Sequence, residues 1–267
     1  AQAVSAGEPV PPPRPRRDEI GDLGRALETM RRKLEGKAYV EQYVQSLTHE
    51  MKSPLAAIRG AAELLQEPLP ETERARFARS IVEQQQRLTG TIDKLLALAE
   101  VEQHGWLQTR DPIALPTLLA DAAAAAQVRA QAAGVQVRIG SVPDMRVQGD
   151  AYLLRQALHN LIDNAIAFSP PGADIALQAE VDGPGVRLQV ADRGAGIPDY
   201  ARERVFERFY SLARPGSGRR SSGLGLPFVQ EVARLHDGRA SLDARDGGGT
   251  LASLWLPLGA AGQRPRR

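Results

Sequence analysis

Three groups of side chains in this sequence have the types and spacing to do chemistry. The first is His49-Glu50, inside Ser46–Pro54 (S-L-T-H-E-M-K-S-P). Apolar residues at Val44, Leu47, Met51, Leu55, Ile58, Ala62 and Leu65 recur every three or four positions, the seam of an amphipathic helix. At ~100° per residue, His49 turns away from that seam onto a face of polar or small residues, Gln42, Gln45, Lys52, Ser53, Ala56 and Gly60. A lone histidine on such a face is ordinarily a solvated side chain. Here Glu50 offers a carboxylate to orient the ring or balance its charge. Pro54 removes a helix hydrogen bond, frees the carbonyl of Glu50 and predicts a bend beside His49.

The second group is Asn160 and Asn164, four apart on one face of a helix whose opposite face is apolar (Leu154, Leu158, Leu161, Ile162, Ala165). An asparagine gives a hard cation such as Mg2+ a neutral oxygen and gives phosphate a donor. Two asparagines alone would equally suit a solvated face. The third group begins with D-R-G-A-G-I at Asp192–Ile197, directly after a strand. An ionised Asp192 only accepts hydrogen bonds, which suits an exocyclic amine such as that of adenine. Gly194 and Gly196 let the backbone turn and come close to a ligand. V-F-E-R-F-Y (Val205–Tyr210) follows, then S-G-L-G-L (Ser222–Leu226) at a helix start, where the N–H groups of Gly223, Leu224 and Gly225 face outward to hold phosphate oxygens. G-G-G-T, ending at Thr250, opens the last strand.

The elements that must position these groups follow from pattern. The chain of 267 residues is 42 % apolar and 25 % charged, so it has room for two modest domains. A net charge of +2 with scattered arginines gives no basis for a nucleic-acid partner. With no cysteine, disulfides and thiolate metal sites are excluded. No apolar run approaches the ~20 residues of a membrane span and no signal peptide is evident, so the chain as given is expected to be soluble. Residues 1–17 are a flexible, proline-rich lead, and residues 18–37 carry a coiled-coil seam (Ile20, Leu23, Leu27, Met30, Leu34). Residues 38–103 make a helical hairpin, turned at Pro68 and Pro70, with a second seam at Phe77, Ile81, Gln84, Leu88, Ile92, Leu95 and Ala99. One hairpin cannot bury two seams, so a homodimer with a four-helix bundle is expected. Residues 107–258 read as an α+β sandwich with helices on one face of a mixed sheet. Its strands are expected at Leu107–Arg110, Val135–Ile139, Ile175–Val181, Val186–Ala191, Ala240–Ala244 and Leu251–Leu256. Its helices are expected at Leu115–Ala133, Ala151–Phe168 and Leu224–His236. Residues 259–267 are expected to be a disordered tail.

The stretch H-E-M-K-S-P-L resembles the phosphoacceptor box of sensor histidine kinases, H-E-x-x-S-P-L. In order, Asn160/Asn164, D-R-G-A-G-I, V-F-E-R-F-Y, S-G-L-G-L and G-G-G-T resemble the N, G1, F, G2 and final glycine-rich boxes of the GHKL (Bergerat) ATP-binding fold. Within the family the likeness is greatest to the CreC-type kinases, which pair with a transcriptional response regulator, and it covers roughly Asp18 to Pro257. D-E-I-G-D-L looks like the opening of the second helix of a HAMP relay, whose first helix and membrane part are expected upstream. The resemblance implies an all-α dimeric hairpin followed by an α+β GHKL sandwich, the cytoplasmic portion of a bacterial inner-membrane protein. It implies that His49 takes the γ-phosphoryl group of ATP, with Glu50 beside it and Mg2+ held through Asn160. The group would then pass to an aspartate of a response regulator. Ser53, four residues after His49, stands where many relatives carry a Thr or Asn that orients water for the reverse dephosphorylation. Many relatives also carry a cation where this chain has Ala167 and an arginine where it has Ser211; Arg214, Arg219 or Arg220 could stand in. Two rival readings are a GHKL-type ATPase, which needs a glutamate that R-Q-A-L-H-N lacks, and a catalytically weak scaffold. His104 and His236 read as structural.

Overall fold

The structure is a computed structural model that describes residues 47–48, 51–104, 107, 109–215 and 221–258. His49, Glu50, Arg219, Arg220, the lead at 1–17, the seam at 18–37 and the tail at 259–267 lie outside the described residues. The chain divides into two units, Ala1–Ser53 and Pro54–Arg267. Of the first, residues 47–48 and 51–53 are helical, with Ser53 exposed.

The second unit opens with helix α1 at 54–64, a turn at 65–70, and the long helix α2 at Glu71–His104. Pro70 accepts the N–H groups of Glu73 and Arg74 through its carbonyl, and Glu71 and Glu73 place negative charge at the positive end of α2. Pro54 and Ala61 are buried on α1, and Thr91, Leu98 and Val101 on α2. The expected seam holds over Phe77, Ile81, Gln84, Leu88 and Leu95, all partly covered, and departs by one residue at Ile92 and Ala99. Ile92 is 41% exposed and Ala99 is exposed, while Thr91 and Leu98 are buried. The cause is a change of neighbour: Leu98 and Val101 belong to the core of the α/β part, where α2 packs on a later helix.

That α/β part contains β1 (Asp111–Ala114), α3 (Leu115–Ala132), β2 (Gln136–Ile139), β3 (Arg146–Gly149), α4 (Ala151–Phe168), β4 (Asp174–Asp182) and β5 (Gly185–Ala191). It continues through α5 (Asp199–Arg202), α6 (Gly225–Leu235), β6 (Arg239–Ala244) and β7 (Thr250–Pro257). The main sheet has the order β2-β4-β5-β7-β6; β2 runs parallel to β4 and every other pair is antiparallel. Strand alternation sends Ile175, Leu177, Val186, Leu188, Val190, Leu254 and Leu256 to one buried face. The helices α3, α4 and α6 cover that face with Leu118, Leu119, Leu158, Ile162, Val229 and Val232. The alanines of α3 have a use here: Ala122 and Ala126 are fully buried where α3 meets α4, and short side chains let the two helices approach. The opposite sheet face carries the row Gln178, Gln189, Ser253 and Ser241, register partners in turn.

The expected strand at Leu107–Arg110 is corrected. Leu107 is buried in the core, whereas Thr109 and Arg110 bond through their side chains to Asp150 Oδ2 and Asp237 Oδ2, each at 3.0 Å. The strand lies directly after this stretch, at β1, because its partner is β3, with which it forms a separate two-stranded ladder. No signal pointed to β3: R-V-Q-G buries one apolar side chain, Val147.

Candidate functional site

Asp192 follows the last residue of β5 and is only 6% exposed. Its main chain is paired on both sides: its N–H donates to the Thr250 carbonyl at 2.9 Å, and its carbonyl accepts from Arg245 Nη1 at 2.7 Å. One carboxylate oxygen, Oδ1, accepts from the backbone N–H of Gly194 at 2.8 Å and of Thr250 at 2.9 Å. The other, Oδ2, has no hydrogen-bond partner among the described residues. It stands open to the cleft that Asp192 lines, free to accept a hydrogen bond from a ligand.

The glycines around it are set by geometry. A Cβ on Gly194 would stand 2.6 Å from the Phe168 carbonyl oxygen, and Gly196 has φ +76°, so the D-R-G-A-G-I turn tolerates no larger residue at the first and strains one at the second. Together they wrap Asp192 around the C-terminal end of α4.

Asp192 opens into a cleft of about 810 Å3, counting the open solvent at its mouth. Leu161, Ala165 and Phe168 of α4, Val190 of β5 and Ala252 of β7 make an apolar floor and wall. Asn164, Gly196, Gly223, Gly225 and Thr250 also line it, together with Tyr210, Ser211 and Ser221. An apolar wall with a carboxylate oxygen open beside it can take an apolar ring that carries a hydrogen-bond donor.

The other end of the cleft is the start of α6. Gly225 is its first residue, and a Cβ there would come within 3.0 Å of Asn160 Oδ1. Asn160 donates through Nδ2 to the Gln156 carbonyl at 3.0 Å, which leaves its oxygen facing α6. Unpaired N–H groups and the positive end of a helix dipole therefore meet a neutral amide oxygen, a setting for phosphate and an accompanying cation. Among the described residues no cluster of three His, Cys, Asp or Glu could hold a metal ion. A magnesium ion would thus take most ligands from phosphate oxygens, and the uncharged Asn160 oxygen suits such a shared site.

The base of the intervening loop is held by strain. Phe209 has φ +61° and donates its N–H to the Gly223 carbonyl at 2.9 Å, while a Cβ on Gly223 would lie 2.5 Å from the Phe209 carbonyl carbon. The preceding Arg208 pairs with Glu102 near the end of α2.

Of the expected site residues, Asn164, Asp192, Gly196, Gly223, Gly225 and Thr250 stand around one cleft, with Asn160 and Gly194 directly behind it. Leu224 departs from its neighbours: its side chain is fully buried in the core, leaving only its backbone for a ligand. Ser53 belongs to the other unit. Ile197 and Tyr210, the last residues of D-R-G-A-G-I and V-F-E-R-F-Y, also line the cleft, as does Phe168, which as a single apolar residue at the end of α4 carries no pattern. His159 does not line it. Its Nε2 is buried without a partner, and burial, followed by Arg129, holds its pKa below the ordinary value. His236 is as expected of a structural histidine, 3% exposed, with Nδ1 2.7 Å from the Val232 carbonyl and Nε2 accepting from the Asp150 N–H at 3.0 Å.

Comparison with known proteins finds matches along most of the chain. The family of histidine kinase-, DNA gyrase B- and HSP90-like ATPases matches over residues 149–260, the His Kinase A phospho-acceptor domain over 39–104 and the HAMP domain over 1–36. Sensor protein CreC of Escherichia coli K12 is 48% identical over 259 residues, 96% of this chain and 53% of that protein. The chain therefore spans about half the length of the curated relatives it matches. Among solved structures, full-length ShkA in complex with AMPPNP matches with a TM-score of 0.61 at 25% identity, over 83% of this chain and 46% of that one. The histidine kinase ThkA in complex with response regulator protein TrrA matches in fold, with a TM-score of 0.69 at 19% identity over 92% and 70% of the chains.

Proposed function

This chain belongs to the sensor histidine kinases, and from that premise we propose that it binds ATP in the Asp192 cleft and transfers the γ-phosphoryl group to His49. The observation that carries the reading is the Asp192 carboxylate, fixed through Oδ1 and open at Oδ2, at the apolar end of a cleft whose other end is a helix N-terminus.

The residues divide the work by chemistry. Asp192 accepts from the adenine amine, and Gly194 and Gly196 keep the backbone out of the base's way. The N–H groups at Gly223–Gly225 hold phosphate oxygens. Asn164 orients the phosphates, and Asn160 would hold through its amide oxygen a magnesium ion that would neutralise phosphoryl charge. His49 is the nucleophile, through a ring nitrogen that carries a lone pair in the neutral imidazole. Its Nε2 lone pair forms the bond to phosphorus, the bond to the bridging oxygen breaks, and ADP leaves with that electron pair. Glu50 accepts from Nδ1–H and stabilises the ring as it becomes cationic.

The phosphoryl group next passes to an aspartate on the receiver of a response regulator, which approaches the polar face around His49. Homodimerisation is supported by the exposed apolar residues Leu55, Leu64, Val82, Ile92 and Leu96 of α1 and α2, which a second hairpin would cover. Attachment to a membrane would run through the HAMP segment and whatever precedes it. No described helix is long and apolar enough to cross a membrane. The ATPase rival is disfavoured by its missing base: R-Q-A-L-H-N holds no glutamate, and His159 stays out of the cleft.

The test is incubation with γ-labelled ATP. Label that is lost in acid and kept in alkali is the expected result, as for a phosphoramidate. Phosphate release without protein-bound label would favour the ATPase.

A further inference from the structure

The turn between β6 and β7 leans on Asp192 rather than on the cleft. Gly249 is buried with φ +105°, and a Cβ there would stand 2.2 Å from the Asp192 carbonyl oxygen and 2.8 Å from its carbonyl carbon. Thr250 brackets Asp192 from the same side, accepting its N–H and donating to Oδ1. Arg245 completes the contact. The turn closes on itself, Arg245 N–H to the Gly249 carbonyl and Gly248 N–H to the Arg245 carbonyl, both at 3.1 Å. The half-buried Arg245 guanidinium then reaches across to the Asp192 carbonyl at 2.7 Å.

We propose that Arg245 is a positioning residue for nucleotide selection, holding the Asp192 main chain so that Oδ2 points at the base and favours adenine over guanine. The inference rests on the reading of Asp192 as the group that meets the base. It assigns a role to an arginine that neither touches the cleft nor belongs to a glycine-rich box. The physical reason is that Oδ1 is already committed to two N–H groups, so the direction of Oδ2 depends on where the backbone of residue 192 sits. Arg245 is the only partner of that buried carbonyl among the described residues, and without it the peptide turns to find another donor. At this edge adenine offers an amine donor and guanine a carbonyl acceptor. A carboxylate aimed at the edge attracts the first and repels the second. A displaced carboxylate does neither, so affinity for ATP falls while affinity for GTP holds or rises.

The experiment measures ATP and GTP dissociation constants for the 267-residue chain by displacement of a fluorescent ATP analogue, with thermal unfolding in parallel. Arg245→Ala is expected to weaken ATP by about three- to tenfold, the size of one hydrogen bond, and to lower the ratio of ATP affinity to GTP affinity by at least as much. Arg245→Lys, which keeps one charged donor, is expected to recover most of that ratio. A ratio unchanged in Arg245→Ala overturns the proposal. So does a parallel weakening of both nucleotides that lysine fails to rescue, since that is loss of local stability alone. Asp192→Asn, measured alongside, separates the premise: a wild-type ratio there would mean that Asp192 does not read the base, whatever Arg245 does.

Discussion

At the scale of single residues, the account turns on acceptors and donors that must match. Asp192→Asn replaces one carboxylate oxygen with an NH2 group, a donor where the adenine amine also donates. It is expected to cost about 1.5–3 kcal/mol of ATP binding, about ten- to a hundredfold in Kd. Equal affinities by calorimetry would remove Asp192 from the site. His236 gives a pH dependence whose sign follows from burial. Burial is the main cause holding its pKa below 6.5, against an opposing contribution from the Val232 carbonyl. Arg110 lowers it and Asp150 and Asp237 raise it. The unfolded chain therefore takes up the proton first, and stability is full above pH 6.5 and lost as pH falls through the lower folded value. Denaturant midpoints are expected to fall between pH 7.5 and 5.5, and less steeply in His236→Gln; the same slope in both would assign the effect elsewhere, with His159 the next group to test. For Ser53 the proposed part is in the reverse dephosphorylation. A hydroxyl can hold a water but can also bond back into its own helix. Ser53→Thr is expected to speed decay of the phosphorylated regulator in the presence of ADP, and Ser53→Ala to slow it. An alanine variant as fast as wild type would leave the hydroxyl without a part.

At the scale of elements, the sequence was most legible where several local signals agree. Helix α4 runs over Ala151–Phe168 as its pattern indicates, because Asp150 caps it through Tyr152 and Leu153 and Pro170 stops it soon after Ser169. The glycine-rich boxes could be read because each glycine meets a backbone demand, and Asp192 because it stands among them. Arg245 could not be read: it is one arginine in a polar turn, and its meaning lies in a carbonyl 53 positions away. β1 and β3 were misread or missed because their pairing is set by each other and not by alternation. The alanine-rich helix α3 is a further test of packing. Ala122 is fully buried against α4, so Ala122→Leu is expected to destabilise the chain by about 1–3 kcal/mol through overpacking, read as a lower denaturant midpoint. A variant of unchanged stability would show that α3 can move aside.

At the scale of the whole molecule, the hairpin and the α/β part must cooperate. α2 carries two duties along its length: partly covered seam residues in its first half, and core residues Leu98 and Val101 against α6 in its second. Ile92 and Leu96 remain exposed between them, 41% and 61%, and the proposed second copy would cover them. The double change Ile92→Glu and Leu96→Glu is expected to convert a dimer to a monomer in sedimentation; a dimer that survives it would place the interface elsewhere. The central claim, that His49 accepts the phosphoryl group from ATP bound at Asp192, is tested most directly by comparing the wild-type chain with His49→Gln for γ-label incorporation and ATP affinity side by side. The account predicts that the variant binds ATP as tightly as wild type and takes up no acid-labile label. Acid-labile label on the His49→Gln chain would contradict it.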